Sequence, residues 1–257
     1  MLTINNLSKT FYPCTPEEQK VFDQFSLDIK ENVCTTIIGP NGCGKSTLFN
    51  LISGSLTSDE GSIKLKNIEL TDLPEEKRAV YISKVNQDPS MGVSPNLNIL
   101  ENMAIAFKKG NKFTFKKLIK NTDIDLLVKK LKELDLGLED KLTTQVKFLS
   151  GGQRQSLSLL MATIKSPDLL LLDEHTAALD PKTSKLIMDK TRDLITREKI
   201  TTLMITHNLR HAIEYSHRII MMNKGQIVLD VLAEDITESE LNKLYNENIL
   251  RDLRQAS

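Results

Sequence analysis

Apolar residues along this chain follow two rhythms. Near the N-terminus they gather in short runs and alternations. Leu2–Leu7, Ser26–Ile29, Val33–Ile38, Ser62–Leu65 and Ala79–Val85 read as strands. From about residue 88 to 165 the spacing turns helical, and Leu157, Leu160, Met161 and Ile164 share one face. Leu169-Leu170-Leu171-Leu172 then reads as a strand covered on both faces. A helix from Pro181, a strand Thr201–Thr206 and a helix through Leu209–Tyr215 follow. Ile219–Met222 and Gln226–Asp230 flank Asn223-Lys224-Gly225 as a hairpin. Beyond Asp230, Leu241, Leu244, Tyr245 and Ile249 mark an amphipathic helical tail over about 231–257. Strands alternating with helices predict an α/β domain spanning 1–257, with a helical subdomain inserted at about 88–165.

Composition narrows the class. A chain of 257 residues with 40% hydrophobic and 26% charged residues can bury a large core and is not disordered. Lys+Arg and Asp+Glu both number 34, so no basic field favours nucleic acid. Cys14, Cys34 and Cys43 form no C-x-x-C pair, which points to a reducing cytoplasm rather than disulfides or zinc. Met1–Lys9 lacks the apolar stretch of a signal peptide, and no run approaches the ~18 apolar residues of a membrane span. Work at a membrane would need spans from another chain.

The strongest chemistry lies at Gly39-Pro40-Asn41-Gly42-Cys43-Gly44-Lys45-Ser46, followed by Thr47. Its spacing is G-x-x-x-x-G-K-[ST]. Glycines let backbone N–H groups cradle phosphate, the lysine reaches the β- and γ-phosphates, and the hydroxyl holds Mg²⁺. The setting, a buried strand before and a helix over Ser46–Ile52 after, supplies a helix N-terminus under the phosphates. Nucleotide binding follows.

Other reactive residues also fall just past strand ends, where ligands of open parallel sheets bind. Gln87 follows Val80–Val85, Asp173 and Glu174 follow the leucine run, and His207 follows Leu203–Thr206. Asp173 is placed to hold Mg²⁺ and Glu174 to polarise water. The plain alternative is a solvated acidic turn. Gln87 alone is an ordinary polar strand end. His207 has rivals in His175, His211 and His217, but His211 and His217 lie on the next helical stretch. Cys43 reads as a tolerated spacer.

Leu149-Ser150-Gly151-Gly152-Gln153-Arg154-Gln155 is physically a capped helix start, with Ser150 as cap and two glycines allowing close approach. It resembles the signature of ATP-binding cassette (ABC) ATPases, and the likeness covers roughly residues 2–230. The family's P-loop corresponds to Gly39–Thr47, its glutamine loop to Gln87 and its signature to Leu149–Gln155. Its Walker B strand corresponds to Leu169–Glu174, its D-loop to Ala178-Leu179-Asp180 and its switch histidine to His207. The aromatic that stacks on adenine corresponds to Phe11, with Tyr12 as runner-up.

The resemblance implies a P-loop NTPase core with a parallel sheet, an N-terminal antiparallel β-subdomain and the helical insertion. It implies ATP and Mg²⁺ as cofactors, with Ser46, Gln87 and Asp173 around the metal. It further implies head-to-tail dimers, either of two copies or with a homologous cassette. Ser150, Gly151, Gly152 and Gln153 of one subunit then close on ATP held by Lys45 of the other. Glu174 acts on water, His207 contacts the γ-phosphate, and Gln87 passes the state to a membrane permease.

Asp173-Glu174-His175-Thr176-Ala177-Ala178-Leu179-Asp180-Pro181-Lys182-Thr183, with His175 where most relatives carry proline, together with Asp88-Pro89-Ser90-Met91-Gly92 and Ser158-Leu159-Leu160-Met161-Ala162-Thr163, resembles importer ATPases served by a periplasmic-type binding lipoprotein. Some of that group are assigned aromatic amino acids. Such a cassette sits peripherally on the cytoplasmic face of the membrane. Lys108–Lys117, basic with two aromatics, reads as a solvated bend or as a lipid-facing stretch. The competing class is a soluble accessory cassette such as that of iron–sulfur cluster assembly. A nucleic-acid-acting cassette protein is disfavoured by charge balance and by the presence of one cassette.

Overall fold

The apolar runs form strands, several of them longer than the runs themselves. The computed structural model describes residues 1–109 and 121–255. In chain order the main elements begin with β1 (Leu2–Phe11), β2 (Gln19–Ile29), β3 (Cys34–Ile38), α1 (Lys45–Ser53), β4 (Glu60–Leu65), β5 (Ile68–Glu69) and α2 (Glu75–Arg78). Next are β6 (Ile82–Val85), α3 (Ile99–Lys108), α4 (Asn121–Glu133), α5 (Gly151–Thr163), β7 (Leu169–Asp173) and α6 (Pro181–Arg197). Then come β8 (Thr201–Ile205), α7 (Leu209–Tyr215), β9 (Arg218–Asn223), β10 (Gln226–Leu232) and α8 (Glu238–Gln255). The chain divides into two compact units, Met1–Arg78 with Lys199–Ser257, and Ala79–Glu198.

The first unit holds two sheets. β2, β1, β4 and β5 form an antiparallel sheet in that order, with register shifts in the β1–β2 ladder. β3 lies between β8 and β9 and runs parallel to both, and β10 pairs antiparallel with β9 through the predicted hairpin. Every residue of β3 and β8 is buried, as befits strands covered on both faces. Ile38, Ala212, Ile219, Met221, Ala233 and Leu241 make one apolar cluster here, with Leu244 and Tyr245 of α8 against it.

The second unit carries the parallel pair β6–β7, in which Val85 is opposite Leu172. Its core joins Ile99 and Met103 of α3, Leu127 and Leu131 of α4, and Leu157 and Leu160 of α5, with Met161 against them. The helical texture read from about residue 88 is therefore real. The strand expected over Ala79–Val85 begins only at Ile82. Before it, α2 places Arg78 where its guanidinium donates to the carbonyls of Leu51, Ile52, Thr71 and Leu73. The strand expected at Ser26–Ile29 begins at Gln19; its outer half buries only Phe22 and Phe25 among exposed polar residues, too sparse for an apolar run, and is held by its pairing with β1. Among the described residues no helix is long and apolar enough to cross a membrane. Of the basic stretch Lys108–Lys117, residues 110–117 lie outside the described residues.

Candidate functional site

Each unit carries its own share of the motif residues. In the first unit, β3 delivers the chain into the loop Gly39–Gly44 and α1 begins at Lys45. Gly39 has φ 151, and a Cβ there would lie 2.2 Å from the Met222 carbonyl oxygen, so only glycine fits. Gly44 is the N-cap of α1, with φ 108 and no side-chain cap. The first amides of α1 are therefore not satisfied by a capping side chain, an arrangement suited to an anion.

Lys45 is 6% exposed. Its Nζ donates to the carbonyls of Gly39 at 2.8 Å and Pro40 at 2.9 Å, and lies 3.8 Å from Cys43 Sγ. A phosphate would replace two neutral acceptors with anionic ones, a favourable exchange. Burial pushes the Cys43 thiol pKa up, and the Lys45 charge opposes this in part. Cys43 is thus a protonated packing residue, as a tolerated spacer should be. Ser46 and Thr47 follow on the first turn of α1. Phe11 ends β1 half-buried, with Lys9 Nζ 5.8 Å from its ring centre, whereas Tyr12 is 64% exposed. His207 follows β8, exposed, one residue before Asn208, which caps α7 by accepting from the His211 amide. Its rivals serve structure. His217 lies past the end of α7 rather than on it, and its ring accepts from the Cys34 amide. His211 stacks edge-on against Tyr215.

In the second unit, Asp173 closes β7 half-buried, and Lys84 of β6 places its Nζ 3.7 Å from Asp173 Oδ2. Lys84 belongs to no motif, and only the β6–β7 pairing brings it to the carboxylate. Glu174 takes φ 45, a left-handed backbone that a non-glycine residue adopts at a cost. The chain thus turns sharply at the carboxylate assigned to water. His175 is 2% exposed and its Nε2 meets Thr191 Oγ1 at 3.4 Å, so it is a core residue. Gln87 is exposed just past β6, and Asp88 caps the following 3-10 turn through the Ser90 amide.

Ser150 closes a capping box on α5. Its Oγ accepts from the Gln153 amide at 3.3 Å, and Gln153 Oε1 accepts from the Ser150 amide at 3.2 Å. Gly151 is exposed, whereas Gly152 is buried, and a Cβ added to it would fall 2.4 Å from Thr183 Cγ2 of α6. Asp180 caps α6 by accepting from the Thr183 amide at 3.0 Å, and hydrogen bonding to Thr183 lowers its pKa.

The donor chemistry fits Mg²⁺. Asp173 offers one carboxylate, and among the described residues no group of three or more His, Cys, Asp or Glu gathers to form an all-protein cage. Mg²⁺ is held by one or two carboxylates together with substrate phosphates and water.

Fold and loop define a P-loop NTPase core. The family described as ABC transporter matches residues 22–177. The tyrosine transport ATP-binding protein of Clostridioides difficile (strain R20291) is 44% identical over 258 residues, covering 100% of both chains. The spermidine/putrescine import ATP-binding protein PotA of Bacteroides fragilis (strain YCH46) is 33% identical over 97% of this chain and 52% of its own length. A dimeric ATP-binding cassette in a post-hydrolysis state with ADP and Pi superposes with TM-score 0.74 at 29% identity, over 91% of this chain and 99% of that one. The ADP conformation of another cassette gives 0.79 at 25%, over 100% and 99%. The chain belongs to the ABC transporter family and is an ATP-binding-cassette ATPase.

Proposed function

We propose that this cassette powers an importer for amino acids of the tyrosine class through a separate membrane permease. The observation that carries the reading is the end-to-end 44% identity to a tyrosine transport ATP-binding protein. The dimeric relatives support a head-to-tail pair of cassettes. The cassette then lies peripherally on the cytoplasmic face of the membrane, served through the permease by a binding lipoprotein.

In this mechanism Lys45 leaves the Gly39 and Pro40 carbonyls for the β- and γ-phosphates, and the loop amides hold the rest. Phe11 stacks on adenine. Ser46, Gln87 and Asp173 are the residues that would hold Mg²⁺, which would neutralise phosphate charge there. Glu174 accepts a hydrogen bond from the attacking water and orients it, and His207 keeps that water in line with the γ-phosphate. Ser150 to Gln153 of the partner cassette and Asp180 complete the closure. Water attacks phosphorus, the β–γ bridge breaks, and ADP and phosphate leave, with no covalent intermediate. The exposed Gln87 and the segment from Asp88 to about Ala106 form the face read by the permease.

The test is ATP-driven uptake of radiolabelled tyrosine by proteoliposomes holding a permease that co-purifies with this chain. Uptake should require ATP and vanish with Glu174→Gln. If no permease binds the chain, the soluble accessory class takes over. Uptake that is indifferent to Glu174→Gln would overturn the coupling.

A further inference from the structure

The C-terminal helix α8 carries none of the motif residues, yet it is anchored against the strand that feeds the phosphate loop. Thr237 Oγ1 accepts from the Glu240 amide at 3.3 Å, and Glu240 Oε2 accepts from the Thr237 amide at 2.9 Å and its hydroxyl at 2.7 Å. Ile236 and Leu241, on either side of this box, belong to one apolar cluster, the staple that fixes a helix entry. The same cluster holds Ile38, the last residue of β3 before Gly39.

Further along, α8 reaches the loop itself. Asn248 Nδ2 donates to the Leu244 carbonyl at 2.9 Å and lies 3.5 Å from Met221 Sδ, and Met221 is the β9 partner of Ile38. Tyr245 packs on the cluster. That cluster includes Ile38, the residue next to Gly39, and burial there raises the Tyr245 hydroxyl pKa. Ile249 lines an open pocket of about 270 Å³ together with Pro40–Cys43 and with Asn223 and Lys224 of the hairpin. The hairpin is tied to the loop by the Gly225 amide, which donates to the Cys43 carbonyl at 3.0 Å.

We infer that α8 sets nucleotide affinity by walling the phosphate loop from outside, with Tyr245 and Ile249 as positioning residues. The inference rests on nucleotide binding at this loop. Gly39, Gly42 and Gly44 hold φ values of 151, 78 and 108, and glycine backbone, free to take many conformations, is kept in one by its surroundings. Shortening Ile249 beside the pocket, or Tyr245 on the cluster that holds Ile38, gives Gly39–Cys43 room to sample other shapes. Binding must then order the loop again, and affinity falls.

The full chain is titrated calorimetrically with ATP. Tyr245→Ala and Ile249→Ala should each bind roughly tenfold more weakly. KM should rise in step, while kcat at saturating ATP stays within about twofold, because α8 touches none of the reacting atoms. Tyr245→Phe and Ile249→Leu should restore affinity, and Asn246→Ala, on the exposed side of α8, should change nothing. If an alanine variant fails to fold, Ile249→Val gives a smaller shift in the same direction. A fall in melting temperature with unchanged ATP affinity overturns the inference, as does a fall in kcat with unchanged KM. Lys45→Ala keeps the two readings apart. Normal ATP binding in that variant removes the nucleotide site itself, whereas lost binding there with unaltered affinity in the α8 variants removes only the role of α8.

Discussion

Two helix N-termini stand at the centre of the proposed mechanism, and they are finished in opposite ways. α1 starts from Gly44 with no side-chain cap. α5 starts from Ser150 with a closed capping box. The open end keeps its amides and its partial positive charge available to an anion bound by the same chain. The closed end is satisfied internally, so α5 is preformed before any partner arrives. Yet Ser150 Oγ only accepts in that box, and its hydroxyl hydrogen is still available to donate. A capped helix can therefore meet a phosphate held by another chain without losing its cap. In the proposed mechanism one end binds through backbone, and the other through a single hydroxyl beside the exposed Gly151.

The contrast fails first at α1 if it is wrong. Lys45→Ala removes the ammonium that neutralises the phosphates, and ATP affinity should fall by about 10²-fold or more. Near-normal affinity in a folded variant would leave the uncapped end without an anion. Next in size is Glu174→Gln, which keeps the shape of the side chain and removes its basicity. Hydrolysis should drop by at least ~10²-fold while ATP binding survives, and gel filtration with ATP and Mg²⁺ should show a persistent dimer. In the proposed dimer the two helix ends meet, so a monomer under these conditions breaks the pairing of α1 with α5.

A finer test separates the two duties of Ser150. Ser150→Ala should cost about 1 kcal/mol of stability through the lost cap, and activity besides. Ser150→Asp keeps the cap and sets a negative charge against the γ-phosphate. It should melt near the wild-type temperature yet lose at least as much ATPase activity as the alanine variant. An active Ser150→Asp enzyme would mean that the closed end never approaches phosphate. The smallest effect expected is that of Gln87→Ala. ATP binding should stay largely intact, while tyrosine uptake falls more than permease-free ATPase does. Because Gln87 is also placed beside Mg²⁺, some permease-free ATPase should be lost, but less than uptake; equal loss of uptake and permease-free ATPase would make Gln87 merely catalytic instead of a reporter to the permease.

Much of this was readable in the linear chain, and for local reasons. The cradle depends on glycines at fixed intervals between a buried strand and a helix, and Gly39 is held by its own φ and a carbonyl 2.2 Å from its missing Cβ. The cap at Ser150 is likewise a matter of residues three apart. Four buried leucines announce β7 and so place Asp173 and Glu174 at a strand end. What lay within a few residues, or within one period of a strand or helix, showed in the order of residue types.

Long-range placement did not. β2 begins at Gln19, although its first residues alternate poorly, because β1 offers it a ladder from Phe11 down to Leu2. Arg78 is 2% exposed and donates to carbonyls 5 to 27 residues away, a role no spacing announces. Lys84 meets Asp173 only because β6 and β7 pair in parallel, and Ile249 meets Pro40–Cys43 only because α8 docks on the cluster that contains Ile38. The chain's residue order carried the identity of the chemical groups and their local geometry, since backbone sterics and short hydrogen bonds act over a few residues. Which distant side chain stands beside each group was fixed by strand pairing and the burial of apolar faces, which act between segments that the sequence keeps far apart.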